Sequence, residues 1–163
     1  MTTLRRIPAG RMIWMLPLLA SLLSNCAHDS YERRADMIKD HVESFYSHLK
    51  ANRVEAAVHE NERIEAMADE MADIVRRQAQ RQGTSRVERE FALMKTARET
   101  AAQNWMALGQ YFAIKRQPDK ARASYQRVVD TYTDPTERLY REQAVRAIED
   151  LNILAPPSVT TTP

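Results

Sequence analysis

The stretch Trp105–Tyr125, WMALGQYFAIKRQPDKARASY, decides the fold of this chain. It carries one small residue, Gly109, before the dipeptide Gln117–Pro118 and another, Ala121, after it, and large side chains lie beside both. Proline cannot continue a helix but suits the first turn of the next one, so the stretch predicts two helices joined by a short turn. Because two helices approach closely only where their residues are small, Gly109 and Ala121 are predicted to mark the contact of a helical hairpin.

The same stretch resembles the tetratricopeptide repeat, in which a Trp-x2-Leu-Gly-x2-aromatic helix is followed by an Ala-x3-aromatic helix. The residues that carry the resemblance, and that it implies are packing residues, are Trp105, Leu108, Gly109, Phe112, Ala121 and Tyr125. The match covers about Ala102 to Pro135. One such repeat cannot bury its own apolar face, so flanking helices or another chain must cover it.

The rest of the chain between Tyr31 and Leu151 shows apolar residues at spacings of three and four, without the alternation that predicts strands. The sequence therefore predicts an all-α fold of antiparallel helical hairpins. Long coiled-coil-like helices come first, followed by the tetratricopeptide-like helix-turn-helix and a C-terminal capping helix. The stripe predicted to be buried on the third helix consists of Val87, Phe91, Met94, Ala101, Trp105, Leu108 and Phe112, interrupted by Arg98.

A near-heptad rhythm runs along the second helix, where Val54, Asn61, Ala68 and Val75 are seven residues apart. Such spacing suits antiparallel coiled packing. Asn61 occupies an interior position of this stripe. The sequence leaves two interpretations open: Asn61 sets the register or the oligomeric state, or it is a polar residue at a frayed edge.

The amino terminus has the features of a targeting segment. Three arginines precede the apolar run Ile13–Leu23, which would rise only about 16 Å as a helix, roughly half of a bilayer core. A basic segment before a short apolar run is typical of a signal peptide. The residues that follow, Leu23-Ser24-Asn25-Cys26, resemble the lipobox of bacterial lipoproteins, although Asn25 stands where that family prefers Gly or Ala.

The lipobox resemblance implies a covalent diacylglycerol on the Cys26 thiol, cleavage before Cys26, and an N-acyl chain such as palmitate on the new amino terminus. In that family an Asp directly after the lipidated Cys retains the protein in the inner membrane. Position 27 is Ala here, so the resemblance implies an outer-membrane lipoprotein that faces the periplasm. The predicted organisation is a signal peptide over 1–25, a lipid anchor and short tether over 26–30, a helical domain over 31–152 and a disordered tail over 153–163.

Charge and composition argue against several function classes. The chain has 24 basic and 22 acidic residues, and without residues 1–25 the balance is 21 to 22, so the body lacks the basic footprint of a nucleic-acid-binding protein. One cysteine excludes an intrachain disulfide, and three glycines argue against a phosphate-binding loop. The four histidines lack the spacing of a metal site. We therefore expect no catalytic residue, no metal ligand and no cofactor besides the lipid on Cys26, and we expect that the protein is not an enzyme.

These features favour a membrane-anchored periplasmic lipoprotein that acts as a protein–protein interaction adaptor or assembly factor. Its partners would be another cell-envelope protein and, through Cys26, the lipid bilayer. The contact residues predicted on the first repeat helix are Asn104, Gln110 and Tyr111. The alternative is a structural, self-associating helical bundle, a homodimer in which the long helices pair between subunits.

Overall fold

A computed structural model describes the backbone of residues 16–79 and 84–154 and the side chains of residues 30–79 and 87–153. The helices within these ranges are α1 (Leu16–Lys50), α2 (Val54–Ala79), α3 (Thr84–Ile114), α4 (Pro118–Thr131) and α5 (Arg138–Leu154), with a 3₁₀ turn at Pro135–Glu137 before α5. No strand occurs in the described backbone, which confirms the all-α prediction. None of the described helices has an apolar stretch long enough to cross a membrane.

The chain divides into two compact units, Met1–Met37 and Ile38–Pro163. The first unit contains the start of α1, which begins at Leu16 and so precedes the start predicted at about Tyr31. The side chain of Cys26 lies outside the described residues, and so do the residues of the tail from 155 onward.

The helices of the second unit pack in chain order, α2 on α3, α3 on α4 and α4 on α5, and α3 also contacts α5. Each helix contributes a stripe of apolar side chains to the core. The largest fully buried apolar side chains are Phe45, Ile64, Met71, Leu108, Val128 and Tyr132. Burial of such side chains is the main favourable term in folding, so these apolar contacts hold the helix pairs together.

The turns after α1 and α3 share one geometry. Asn52 and Arg116 both adopt a left-handed backbone, with φ of 58° and 57°. The next residue in each turn donates its N–H five residues back: Arg53 to the His48 carbonyl and Gln117 to the Phe112 carbonyl, both at 2.9 Å. This is the Schellman motif, which usually has glycine at the left-handed position. Pro118 then starts α4, as predicted.

The buried stripe of α3 differs from the predicted one in its amino-terminal half. Phe91 is 48% exposed and Met94 is partly exposed, whereas Glu90, Leu93 and Ala97 are buried. The assignment of Phe91 and Met94 to the core was wrong because it followed a spacing of 3.5 residues. A straight helix has 3.6 residues per turn, so over about six turns the buried face moves by roughly half a residue, which brings the neighbouring residues Glu90 and Leu93 to the interior.

Asn61 lies in the interior, at 1% exposure. Its amide nitrogen donates to the Ala101 carbonyl of α3 at 3.1 Å, and its oxygen accepts from the Asn104 amide at 2.9 Å. The interpretation of Asn61 as a residue at a frayed edge was therefore wrong. Because both amides are satisfied only in one alignment of α2 on α3, the pair fixes the register of these two helices.

Candidate partner-binding site

The contact between α3 and α4 is built around Gly109. A Cβ atom added at Gly109 would lie 2.6 Å from Cζ and 2.7 Å from Cδ1 of Tyr125, well inside van der Waals contact. The absence of a side chain therefore lets the Tyr125 ring lie against the α3 backbone. The structure buries all the residues predicted to be packing residues of this hairpin: Trp105, Leu108, Gly109, Phe112, Ala121 and Tyr125.

The three predicted contact residues occupy different environments. Asn104 is 1% exposed and bonded to Asn61, so its prediction as a surface contact is wrong. The physical reason is that α3 is covered on two sides, by α2 as well as by α4, and Asn104 faces α2. Gln110 is exposed. Tyr111 is partly exposed, and its hydroxyl donates to Asn52 in the turn after α1.

A polar cluster joins α2, α3 and α4 around the Glu65 carboxylate. Trp105 Nε1 and the Tyr132 hydroxyl donate to Oε1 at 2.9 and 2.7 Å, and Arg127 Nη2 donates to Oε2 at 2.9 Å. The Arg127 guanidinium also lies over the Trp105 ring, 4.8 Å from its centroid. Burial, together with the Glu65 charge, raises the pKa of the Tyr132 hydroxyl far above its ordinary value. We call these four residues the Glu65 cluster.

Arg98 ties α3 to the 3₁₀ turn beside this cluster. Its guanidinium donates to both carboxylate oxygens of Glu137, through Nη2 at 3.1 Å and through Nε. Asp69 lies 3.7 Å from Nη1, and the Tyr132 ring centroid is 5.3 Å from the guanidinium carbon. The hydrogen bond to Glu137 raises the pKa of Arg98. Because Glu137 is only 4% exposed, the two charges satisfy each other inside the fold.

An open groove of about 420 Å³ lies next to this ion pair, between α2, α3 and the residues around the 3₁₀ turn. We call it the Phe91 groove. Its apolar surface comes from Phe91 and Met94 of α3 and from Ala72 of α2, and Arg98 and Glu137 also line it. The Asp134 carboxylate, another lining residue, accepts hydrogen bonds from Thr136, which lower its pKa. The groove thus combines exposed apolar surface with charged side chains that already have partners.

Sequence reasoning missed both the Glu65 cluster and the Phe91 groove. The interruption of the apolar stripe by Arg98 was a usable signal, because a charged residue in a helix interface needs a partner nearby. The Glu65 cluster gave no such signal, since its other members lie 40 to 67 positions from Glu65 and only the tertiary fold brings them to it. Among the described residues, no three His, Cys, Asp or Glu side chains are arranged to hold a metal ion. Comparisons with models of protein families, with curated proteins and with solved structures give no match.

Proposed function

We propose that this protein is a lipid-anchored adaptor of the bacterial cell envelope, facing the periplasm, that binds another envelope protein through the Phe91 groove. The observation that carries the proposal is the half-exposed ring of Phe91 in an apolar groove of a helical scaffold. The occupant is a short amphipathic helix of the partner, with large apolar residues on one face. The tetratricopeptide-like hairpin of α3 and α4 is the rigid frame that holds the groove in place.

The chemistry of the groove favours apolar recognition. Arg98 and Glu137 already satisfy each other, so a partner gains little from supplying a charge to them. Phe91 and Met94, in contrast, keep apolar surface in contact with water, and its removal from water on binding is favourable. Aromatic residues at the centre of a contact carry a large share of binding energy, and methionine adapts to irregular partners.

Membrane anchoring rests on the lipobox resemblance at Cys26. The experiment is to express the wild-type chain and Cys26→Ala in a Gram-negative host, label with a radioactive fatty acid and separate membrane from soluble fractions. We expect Cys26→Ala to lose the label and to leave the membrane fraction. The matched control is Asn25→Gly, which brings the segment closer to the lipobox pattern. This variant should keep the fatty-acid label and stay in the membrane fraction. Equal labelling of wild type and Cys26→Ala would overturn the anchoring proposal.

The adaptor role is tested by a photoreactive phenylalanine analogue placed at position 91 in living cells. The matched control position is Gln126, which is exposed on α4 away from the groove residues. We expect a covalent adduct with one envelope protein from position 91 and none from position 126. A second Met94→Glu change, which puts a charge into the groove, should abolish the adduct. A further probe at Gln110 tests the contact predicted there from the sequence.

The same experiment separates the adaptor from the self-associating alternative. An adduct of twice the mass of the chain would mean that copies of this protein occupy the groove, and no adduct from position 91 would overturn the adaptor proposal. The structure already uses the heptad stripe of α2 within the chain, since Asn61, Ile64 and Ala68 are buried and α2 packs on α3. Contacts within the chain thus account for the burial of these positions without a second copy, which supports the adaptor over the self-associating bundle.

A further inference from the structure

The turns after α1 and α3 lie together at one end of the second unit. The Tyr111 hydroxyl at the end of α3 donates to Asn52 in the first turn. Lys115 and Lys120 flank the second turn, with their ammonium nitrogens 5.5 Å from the ring centroids of Tyr111 and Phe112. We call this end the basic tip, and its residues are Lys50, Arg53, Ile114, Lys115, Arg116 and Lys120.

The five cations of the basic tip are all exposed, and none forms an ion pair with another described residue. Elsewhere in the unit, Arg98, Arg127 and Arg138 each pair with a glutamate. The acidic residues nearest in sequence are Glu55 and Asp119, and Asp119 is held by Arg122 at 3.0 Å. The tip therefore keeps a net positive charge that faces solvent.

Helix stability does not account for three of these cations. Arg53 precedes the first turn of α2 and Lys120 lies in the first turn of α4, where the helix macrodipole disfavours positive charge. Arg116 occupies the left-handed position of its turn, with φ of 57°, where glycine or asparagine is favoured. Three of the five cations thus stand where the local fold favours another residue.

An exposed apolar side chain lies among these charges. Ile114 is 81% exposed, so it projects from the surface rather than lining a cleft. We propose that the basic tip binds the surface of an anionic phospholipid membrane, with the cations on headgroup phosphates and Ile114 at the boundary of the acyl chains. A projecting apolar residue ringed by lysine and arginine fits a flat anionic layer, and each such cation strengthens binding about fivefold. This contact is separate from the lipid on Cys26 and from the Phe91 groove.

The test uses the single cysteine of the chain. In the full chain carrying Cys26→Ala, an added Ile114→Cys change gives one thiol for a polarity-sensitive fluorophore. The matched control is Ala92→Cys, exposed on α3 and 22 residues, or about 33 Å, away along the helix. Both proteins are mixed with two kinds of vesicle, one of phosphatidylcholine alone and one that also contains about 30% phosphatidylglycerol. Each kind is prepared with and without lipids that carry a quencher.

We expect the label at position 114 to shift to the blue and to be quenched in the anionic vesicles, and the label at position 92 to do neither. Neutralising Arg53, Lys115 and Lys120 to Gln should abolish the shift, whereas neutralising the exposed Arg77, Arg89 and Arg146 should leave it. Salt at about 0.5 M should reverse the blue shift of the label at position 114, because it screens the attraction between the cations and the anionic headgroups.

If the label at position 114 neither shifts nor is quenched when anionic vesicles are added, the membrane proposal is overturned. The remaining candidate to bind the basic tip would then be an acidic protein. An equal shift on neutral vesicles would overturn it as well. Because the probe reports the surroundings of position 114 itself, binding of vesicles by residues 1–25 cannot imitate the result. Because every protein carries Cys26→Ala, the outcome is independent of lipidation. Because the vesicles contain no protein, the outcome does not depend on a partner in the Phe91 groove either.

Discussion

The two halves of α3 differ in how they use their apolar residues: one half builds the core, and the other also lines an open groove. In the carboxyl-terminal half, the residues of the repeat pattern are buried, and Gly109 lies against Tyr125. In the amino-terminal half, the buried positions are Glu90, Leu93 and Ala97, and Phe91 lines the groove. The difference shows that small residues at fixed positions specify a contact more strictly than an apolar stripe does.

The largest loss of stability is expected at Gly109, where the Tyr125 ring lies closest to the backbone of α3. Gly109→Leu would drive a side chain into the Tyr125 ring, so we expect a loss of more than about 3 kcal/mol in the free energy of unfolding, measured by urea denaturation. Gln110→Leu, on the exposed side of the same turn, is the control and should change stability little. Equal stability of the two variants would mean that α3 and α4 are not in close contact at Gly109.

The Glu65 cluster covers the same half of α3. Glu65→Ala removes the acceptor of three hydrogen bonds, including that of the Tyr132 hydroxyl, whose residue is 1% exposed. Unsatisfied buried donors are costly, so we expect a loss of about 3 kcal/mol by thermal or chemical unfolding. Glu65→Gln keeps a carbonyl oxygen for Trp105 and Tyr132 and should lose about 1 kcal/mol. A small loss for Glu65→Ala would show that the cluster is not needed for stability.

The hydrogen bond between Asn61 of α2 and Asn104 of α3 lies near the start of the carboxyl-terminal half of α3. Substitutions at this pair test whether the hydrogen bond stabilises the packing of α2 on α3. Asn61→Leu leaves the Asn104 amide without its acceptor, so we expect a loss of about 2 kcal/mol. Changing both residues to Leu removes the unsatisfied group, and the double variant should be more stable than the sum of the single losses by about 1 kcal/mol or more. Simple additivity would mean that the two amides do not interact in solution.

The smallest effect lies at the end of α3. Arg116→Gly relieves the left-handed backbone at φ of 57°, so we expect a gain of about 1 kcal/mol in stability. Arg116→Ala removes the same charge but keeps a Cβ atom, and it should leave stability nearly unchanged. If both variants gain equally, charge repulsion at the basic tip rather than backbone conformation limits stability.

Much of the fold could be predicted because the decisive signals are local. Gln117–Pro118 marks the turn between α3 and α4, and the apolar spacing identifies the helices. The burial of Gly109 and Tyr125 follows from residue size, which the sequence shows directly. The rotation of α3 could not be predicted, because an error of a tenth of a residue per turn grows to roughly half a residue over the about six turns between Phe112 and Phe91, enough to bring a neighbouring residue to the core.

The candidate site was less accessible to sequence reasoning. A surface position was assigned to Asn104 because its turn was not part of the apolar stripe, but α2 covers that side of α3 and satisfies the amide. Phe91 was assigned to the core because it is apolar, and its exposure depends on the rotation of the helix. The groove itself needs the 3₁₀ turn that Asp134 caps, about 40 residues further along the chain.

The most direct test of the account is the stability of Phe91→Ala compared with Leu93→Ala, measured by urea denaturation on the full chain. The central claim is that Phe91 faces a binding groove, whereas Leu93, two residues on, belongs to the core. We predict that Phe91→Ala loses about 1 kcal/mol or less and that Leu93→Ala loses about 3 kcal/mol. A loss for Phe91→Ala as large as that for Leu93→Ala would place Phe91 in the core and contradict the proposed adaptor site.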